Sequence, residues 1–303
     1  MQKFEELSDY NRNDTTHFSK WFIINTENKL NTIKQNQLYA GYSRDFNDAF
    51  DSQIRLTDDE FHGFVSRVGK NDPDVQILET ISNGIHSADT YYYPEVSFLI
   101  AQLQAFNIAC FSELDPCACA SNHMWGLYGN CGKGVAIQYD FGELKHWIQN
   151  SEYRSASIYK IKYETLNKFD LLHQIFDHFI KYELSNSIIS QIQFLISKTE
   201  EWQYEKEWRF IYMNDDVMVK DKECDEVHAN IVKRMEVSGN NIFNFIKPTR
   251  IIFGWNNYSD SENNRFYDDL NDWASRNNIE CIYLDNKIDY KDMTFHKREQ
   301  RVP

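Results

Sequence analysis

The stretch Trp202-Gln203-Tyr204-Glu205-Lys206-Glu207-Trp208-Arg209-Phe210 constrains the fold more than any other part of the chain. Aromatic and polar residues alternate along it, and a period of two is that of a β-strand, whose side chains point to opposite faces in turn. A strand over Trp202 to Met213 is therefore expected. It sets Gln203, Glu205, Glu207 and Arg209 on one face and Trp202, Tyr204, Trp208 and Phe210 on the other, with Lys206 the only charge among the aromatics. Two readings follow. Aromatic anchoring can hold two carboxylates and a guanidinium rigidly enough to serve a reacting group. The same face can equally be solvated surface on an antiparallel strand, where Arg209 merely neutralises Glu207.

A chain of 303 residues with 15% aromatics can bury a large core in one elaborated domain or two small ones. No internal repeat or low-complexity linker divides it, and 11 Gly and 5 Pro argue against long flexible joints. We expect one domain over 1–303. The net charge of −14 argues against general binding to duplex nucleic acid, which needs clustered Lys and Arg against phosphate. A local basic groove stays open. The polar start, Met1 to Asp14, lacks the apolar run of a signal peptide, and no stretch approaches the ~18 apolar residues of a membrane span. A soluble, cytoplasmic protein with no membrane partner is the expectation.

Six cysteines are too few for a disulfide scaffold at this length. Cys117, Cys119 and Cys131 cluster around His123. Their spacing is not that of a structural zinc site, which favours small, semi-buried thiols and no bound metal.

Strands are expected at Phe18–Ile24, Leu38–Tyr42, Phe106–Phe111, Val135–Tyr139, Ile158–Tyr163, Arg250–Trp255 and Glu280–Leu284. Helices are expected at Glu27–Gln35 with Thr26 as N-cap, Asp58–Val68, Val75–Ser87, Pro94–Ala105, Asn122–Gly129 and near Glu262–Ser275. Phe169–Lys198 reads as a helical insertion, two helices broken near Leu184–Ser187, with Leu171, Ile175, Phe179, Ile188, Ile192 and Ile196 at helical spacing. Strands and helices do not alternate regularly, so the fold class is α+β rather than a doubly wound sheet.

Two further segments stand out. Cys110-Phe111-Ser112-Glu113 leads into Met124-Trp125-Gly126-Leu127-Tyr128 and then Gly132-Lys133-Gly134, a helix-turn-strand unit. It is not a phosphate loop, because no Ser or Thr follows Lys133 and the order runs from helix to strand. Phe46-Asn47-Asp48-Ala49-Phe50-Asp51 reads as an Asx-type turn pinned by its phenylalanines, with Asn47, Asp48 and Asp51 free to bind. No Ser-hydrolase elbow or H-E-x-x-H zinc motif is present.

Together these segments resemble the bacterial DUF 2971 family, whose pattern runs F-N-D-P-F-D, then C-F-S-E with M-W-x-H-Y-A and K-G-V, then K-x-x-x-W-x-x-E-x-E-x-R. The resemblance covers about Phe18 to Arg209. Ala49 replaces the family's proline, and Leu127 stands where His is usual. The layout is similar in turn to ADP-ribosyltransferase-like folds, which carry an early strand contacting NAD, a middle strand ending in F-x-S and a late strand with E-x-E. Here those are His17 to Trp21, Phe111-Ser112 and Glu205-x-Glu207. That likeness implies a mixed, largely antiparallel central sheet with inserted helices and NAD as substrate.

It also implies roles. Glu207 would stabilise the oxocarbenium-like charge formed when the nicotinamide-ribose bond breaks, Glu205 would orient or deprotonate an acceptor, and Arg209 would hold a phosphate or keep Glu207 ionised. Ser112, Trp125, Tyr128, Lys20, Asn47 and Asp48 would bind the cofactor. The expected setting is a bacterial toxin or anti-phage effector, with a protein or nucleic-acid acceptor and a protein partner such as an antitoxin. Alternatives are a metal-dependent nuclease or phosphodiesterase using Asp48, Asp51, Glu205 and Glu207, and a non-catalytic sensor or partner-binding module presenting Phe169–Lys198.

Overall fold

The computed structural model describes residues 4–9, 17–43, 106–153, 155–164, 167–180, 184–213, 218–221, 235–238, 241–257 and 264–298. The helices expected at Asp58–Val68, Val75–Ser87 and Pro94–Ala105 lie outside the described residues, as do Asn47, Asp48 and Asp51.

The chain enters the sheet with β1 (His17–Phe22). Thr26 then caps α1 (Glu27–Lys34), its hydroxyl accepting from the Lys29 N–H at 3.4 Å. That contact satisfies one of the N–H groups a helix start leaves unpaired. Leu30 and Ile33 give α1 its buried side. Two short strands follow, β2 (Gln37–Tyr39) and β3 (Gly41–Tyr42), and then β4 (Asn107–Ser112). Next come α2 (Asn122–Leu127), β5 (Val135–Asp140), α3 (Phe141–Asn150), β6 (Ala156–Lys160) and β7 (Lys162–Tyr163).

A helical pair, α4 (Lys168–Ile180) and α5 (Leu184–Ile196), leads into β8 (Ser197–Lys198). The last part comprises β9 (Glu207–Tyr212), β10 (Met218–Asp221), β11 (Met235–Ser238), β12 (Ile242–Asn244), β13 (Arg250–Phe253), α6 (Asn264–Arg276), β14 (Glu280–Asp289) and β15 (Thr294–Arg298).

Eight strands run across the central sheet in the order β15-β14-β13-β5-β1-β4-β9-β6, and β3 shares the β4 edge. Every pairing in it is antiparallel except β13 with β14, so the α+β class and the mixed, largely antiparallel sheet are observed. One face buries Phe18, Phe111, Ile137, Trp208, Phe210 and Ile251 against residues of α1, α3 and α6. The other face is covered in two parts. Trp21, Ala136 and Ile252 pack with Trp125 of α2 and with Trp255 and Phe295. Farther along, the end of α5 lies over β9, where the Leu195 carbonyl accepts from Arg209 Nη1 at 2.6 Å.

The strand expected over Trp202–Met213 is only half a strand. Glu200–Glu205 forms a 3-10 helix, Lys206 turns through the left-handed region at φ 46°, and β9 starts at Glu207. The aromatic alternation of residues 202–205 is also compatible with a three-residue period. Trp202 and Glu205, three apart, turn inward together, while Gln203 and Tyr204 stay exposed. The turn is fastened to β4 by the Glu113 N–H, which donates to the Lys206 carbonyl at 3.2 Å.

Leu184–Ser187, where a break is expected, forms the first turn of α5. Five elements carry no forecast above: α3, β10, β11, β12 and β15. The first is capped by Asp140, whose carboxylate accepts from the Glu143 N–H at 2.9 Å. Among the described residues no helix is long and apolar enough to cross a membrane. Replacing Asp140 by Ala should cost about 1 kcal/mol, read as a lower urea midpoint at unchanged slope.

Candidate functional site

Strand register assembles a polar row across the face that α2 and α5 cover. Gln138 on β5 stands opposite Ser19 on β1, Ser19 opposite Ser112 on β4, and Ser112 opposite Glu207 on β9. All four side chains are buried. Burying polar atoms is costly unless each finds a partner, and here partners are built in. Gln138 Nε2 donates to Ser19 Oγ at 3.2 Å, and Ser19 Oγ donates to the Leu114 carbonyl at 3.0 Å. Ser112 Oγ donates to the Glu205 carbonyl at 2.5 Å and accepts from the Leu114 N–H at 3.1 Å.

At the end of this row sit four buried charges. Arg209 is 0% exposed, Glu205 2%, Glu207 4% and Lys198 6%. Arg209 grips the carboxylate two residues before it on the same strand face, Nε to Oε1 at 2.7 Å and Nη2 to Oε2 at 3.3 Å. Lys198 Nζ donates to Glu205 Oε2 at 2.7 Å and to Glu207 Oε2 at 3.1 Å. It also lies 4.7 Å from the centre of the Trp202 ring. Tyr128 OH donates to the other oxygen of Glu205 at 2.7 Å. The Glu207 N–H donates to Tyr163 OH at 2.7 Å. The expected alternative of a solvated, charged strand face is thus overturned, because acid and base pair in the interior.

The two carboxyls are shifted in opposite directions. Burial pushes the Glu205 carboxyl up, Lys198 pulls it down, and the charge of Glu207 pushes it up again, leaving it raised. Glu207 is also buried, yet Arg209 and then Lys198 outweigh that burial and hold it below the ordinary carboxylate range. A pair whose environments drive the two pKa values apart is the pattern of an acid-base couple. A buried ion network is also a poor way to gain stability, since well-packed apolar residues do as well or better. Both points direct attention here as a functional site.

The other expected residues distribute unevenly. Ser112 is spent on Glu205 and Leu114, so it positions the turn that carries Glu205. Trp125 has no exposed surface; its Nε1 donates to the Pro116 carbonyl at 2.9 Å and its ring packs on Trp21 and Trp255. It belongs to the core, which corrects its expected contact with a cofactor. Tyr128 is 41% exposed, with its hydroxyl on Glu205. Lys20 is half-buried, and the alternation of β1 sets it on the opposite face from Ser19, with its ammonium 5.5 Å from the centre of the Phe111 ring. It donates to the Cys110 carbonyl at 3.2 Å where β1 and β4 no longer pair, because β3 occupies the rest of that edge. Burial lowers the pKa of its ammonium, opposed by neighbours including Glu207. Asn47 and Asp48 lie outside the described residues.

Lys198, Tyr163 and Cys110 have no assigned role in the sequence reading. Lys198 was within reach, since it is the first residue of the K-x-x-x-W-x-x-E-x-E-x-R pattern; the other two come together with Glu207 only in space. Cys117, Cys119 and Cys131 carry free thiols, and among the described residues no three His, Cys, Asp or Glu side chains converge as metal ligands would.

Fold and site together define an α+β protein built around a buried, charge-compensated carboxylate pair. A family model described as protein of unknown function, DUF2971, matches residues 124–210 of the chain. The match takes in Tyr128, Lys198, Glu205, Glu207 and Arg209, while Ser19 and Ser112 fall outside it. No curated protein and no solved structure matches the chain.

Because the Glu207 pKa is depressed, the stability it contributes is present above the ordinary carboxylate range and is lost as pH falls through its lowered value. Glu207→Gln should therefore cost about 3–5 kcal/mol near neutral pH. Its deficit against wild type should shrink below about pH 4, measured by denaturant unfolding at both pH values.

Proposed function

We propose that this chain is an ADP-ribosyltransferase-like enzyme that takes NAD as its substrate. The observation that carries the reading is the row Ser19–Ser112–Glu207, in which the three segments singled out by the resemblance meet on adjacent strands in one register. Nothing local in the sequence requires residues 19, 112 and 207 to align.

Each group then has a task. The bond between the anomeric carbon and the nicotinamide nitrogen breaks, and its electron pair leaves with neutral nicotinamide. Positive charge develops on the ribosyl carbon and ring oxygen. Glu207, kept ionised by Arg209, stabilises that charge through a ribose hydroxyl. The acceptor's oxygen or nitrogen forms the new bond to the anomeric carbon, and its proton goes to Glu205. A carboxylate with a raised pKa is the better base of the two. Tyr128, partly exposed and bonded to Glu205, borders the site on the α2 side. A setting as a toxin or anti-phage effector, with a protein or nucleic-acid acceptor, is part of the same proposal and rests on the class alone.

Two readouts test it. Millimolar NAD should raise the unfolding temperature, a ligand at about 100 times its dissociation constant adding roughly 2.7 kcal/mol. Wild type should release nicotinamide, and Glu207→Gln should do so about 100-fold more slowly. No thermal shift and no nicotinamide release would defeat the reading. A shift with divalent metal alone would move attention to phosphodiester chemistry.

A further inference from the structure

Lys198 occupies an odd place in this site. Its ammonium sits between the two carboxylates, at 2.7 Å from Glu205 and 3.1 Å from Glu207. Yet it does not belong to the sheet that carries Glu207 and Arg209. It comes from β8, which among the described residues pairs only with β7, through Lys162↔Ser197 and Tyr163↔Lys198. The preceding element is α5, so the position of the ammonium is tied to the helical pair.

We propose that Lys198 is a built-in stopper, an internal cation occupying the place between Glu205 and Glu207 that the ribosyl group must take as its positive charge develops. This inference rests on the NAD reading and adds how the same site is held shut. The chemistry of the place is that of a receptor for a positive centre: two carboxylates meet there from two different elements, the end of a 3-10 helix and the start of β9.

Withdrawal of the stopper leaves no orphaned charge. Glu207 keeps both contacts with Arg209. Glu205 keeps the Tyr128 hydroxyl on its other oxygen and can take up a proton. Each carboxyl thus has a second arrangement ready, which is what a site needs if it is to open without unfolding. The tether also has a direction. The Leu195 carbonyl on Arg209 and the Lys198 ammonium on both acids tie the α5–β8 segment to the strand-borne charges. A shift of the helical pair away from the sheet would draw Lys198 out while Glu207 and Arg209 stay on β9.

The test uses full-length wild type, Lys198→Met and the double variant Lys198→Met/Glu205→Gln. Met keeps the length of the side chain without the charge, and the double variant removes both partners of one buried pair, so it folds even where the single variant does not. NAD binding is read by calorimetry on all three proteins, and nicotinamide release on wild type and the single variant. If the closed arrangement holds about nine-tenths of wild-type molecules, removing the stopper lowers the apparent NAD dissociation constant about tenfold. Nicotinamide release at subsaturating NAD rises with it. Wild type that binds NAD as tightly as the variants, or more tightly, overturns the stopper and leaves the NAD reading standing. That result would make Lys198 a contributor to binding instead. Absence of NAD binding and of nicotinamide release from all proteins overturns both.

Discussion

A carboxylate on a central strand, shielded from water, is sustainable only when a cation reaches it with good geometry. In this protein that condition is met by Arg209, which lies on the same face of β9 two residues after Glu207 and contacts both of its oxygens. A period of two brings the pair together with no help from elsewhere. Much else follows from burying them. The Arg209 guanidinium needs a further acceptor, and α5 ends where the Leu195 carbonyl supplies one. The Glu207 N–H stands at the start of the strand, and Tyr163 takes it. Glu205, brought in by the left-handed turn at Lys206, adds a second negative charge that Lys198 balances. The cover on this half of the sheet is therefore placed by electrostatic need as much as by apolar packing.

Stability alone does not account for such a cluster. Desolvating four charges costs more than most ion pairs return, and an apolar filling of the same volume would serve a scaffold as well. What the charges give, and an apolar filling cannot, is a pair of carboxyls with opposite protonation tendencies a short reach apart. One is held below the ordinary carboxylate range by its neighbours, and the other is raised above it by burial and by the charge of the first. That division of labour is the physical basis for reading the cluster as a place where chemistry occurs.

Much of the fold was legible where signals were local. β1, α1 with its Thr26 cap, β4, β5 and β13 lie within a few residues of their expected places because hydrophobic period and capping chemistry are properties of short windows. The site was legible in part. Glu205, Glu207 and Arg209 stood out by type, but their burial did not, because a charged alternating face looks the same in solvent or under a helical cover. Glu205 was assigned to the strand since its alternation with Trp202 and Tyr204 mimics a period of two, and the 3-10 turn showed only in space. The α3 helix had a usable signal in Asp140 and Glu143, with Phe141 and Leu144 three apart and Trp147 another three on. Lys198 had none beyond its place in a pattern, since nothing in Ser197-Lys198-Thr199 tells that an ammonium will be folded back onto acids seven and nine residues later.

The order of strands bears on what the family signature is. The matched segment, residues 124–210, contributes β5, β6 and most of β9 to the sheet. Yet β5 does not touch β9 or β6. Between them lie β1 and β4, both drawn from earlier in the chain, and the far side of β5 leans on β13, drawn from later. The turn that opens the segment is likewise closed from outside it, for a side chain at Gly132 would strike the Trp255 indole and one at Gly254 would strike the Gly132 carbonyl. The stretch that the family model matches is thus two separated leaves of a sheet whose spine is written elsewhere. Cut out alone it would expose the inner edges of both leaves, so the matched part depends on strands from before and after it to complete its sheet.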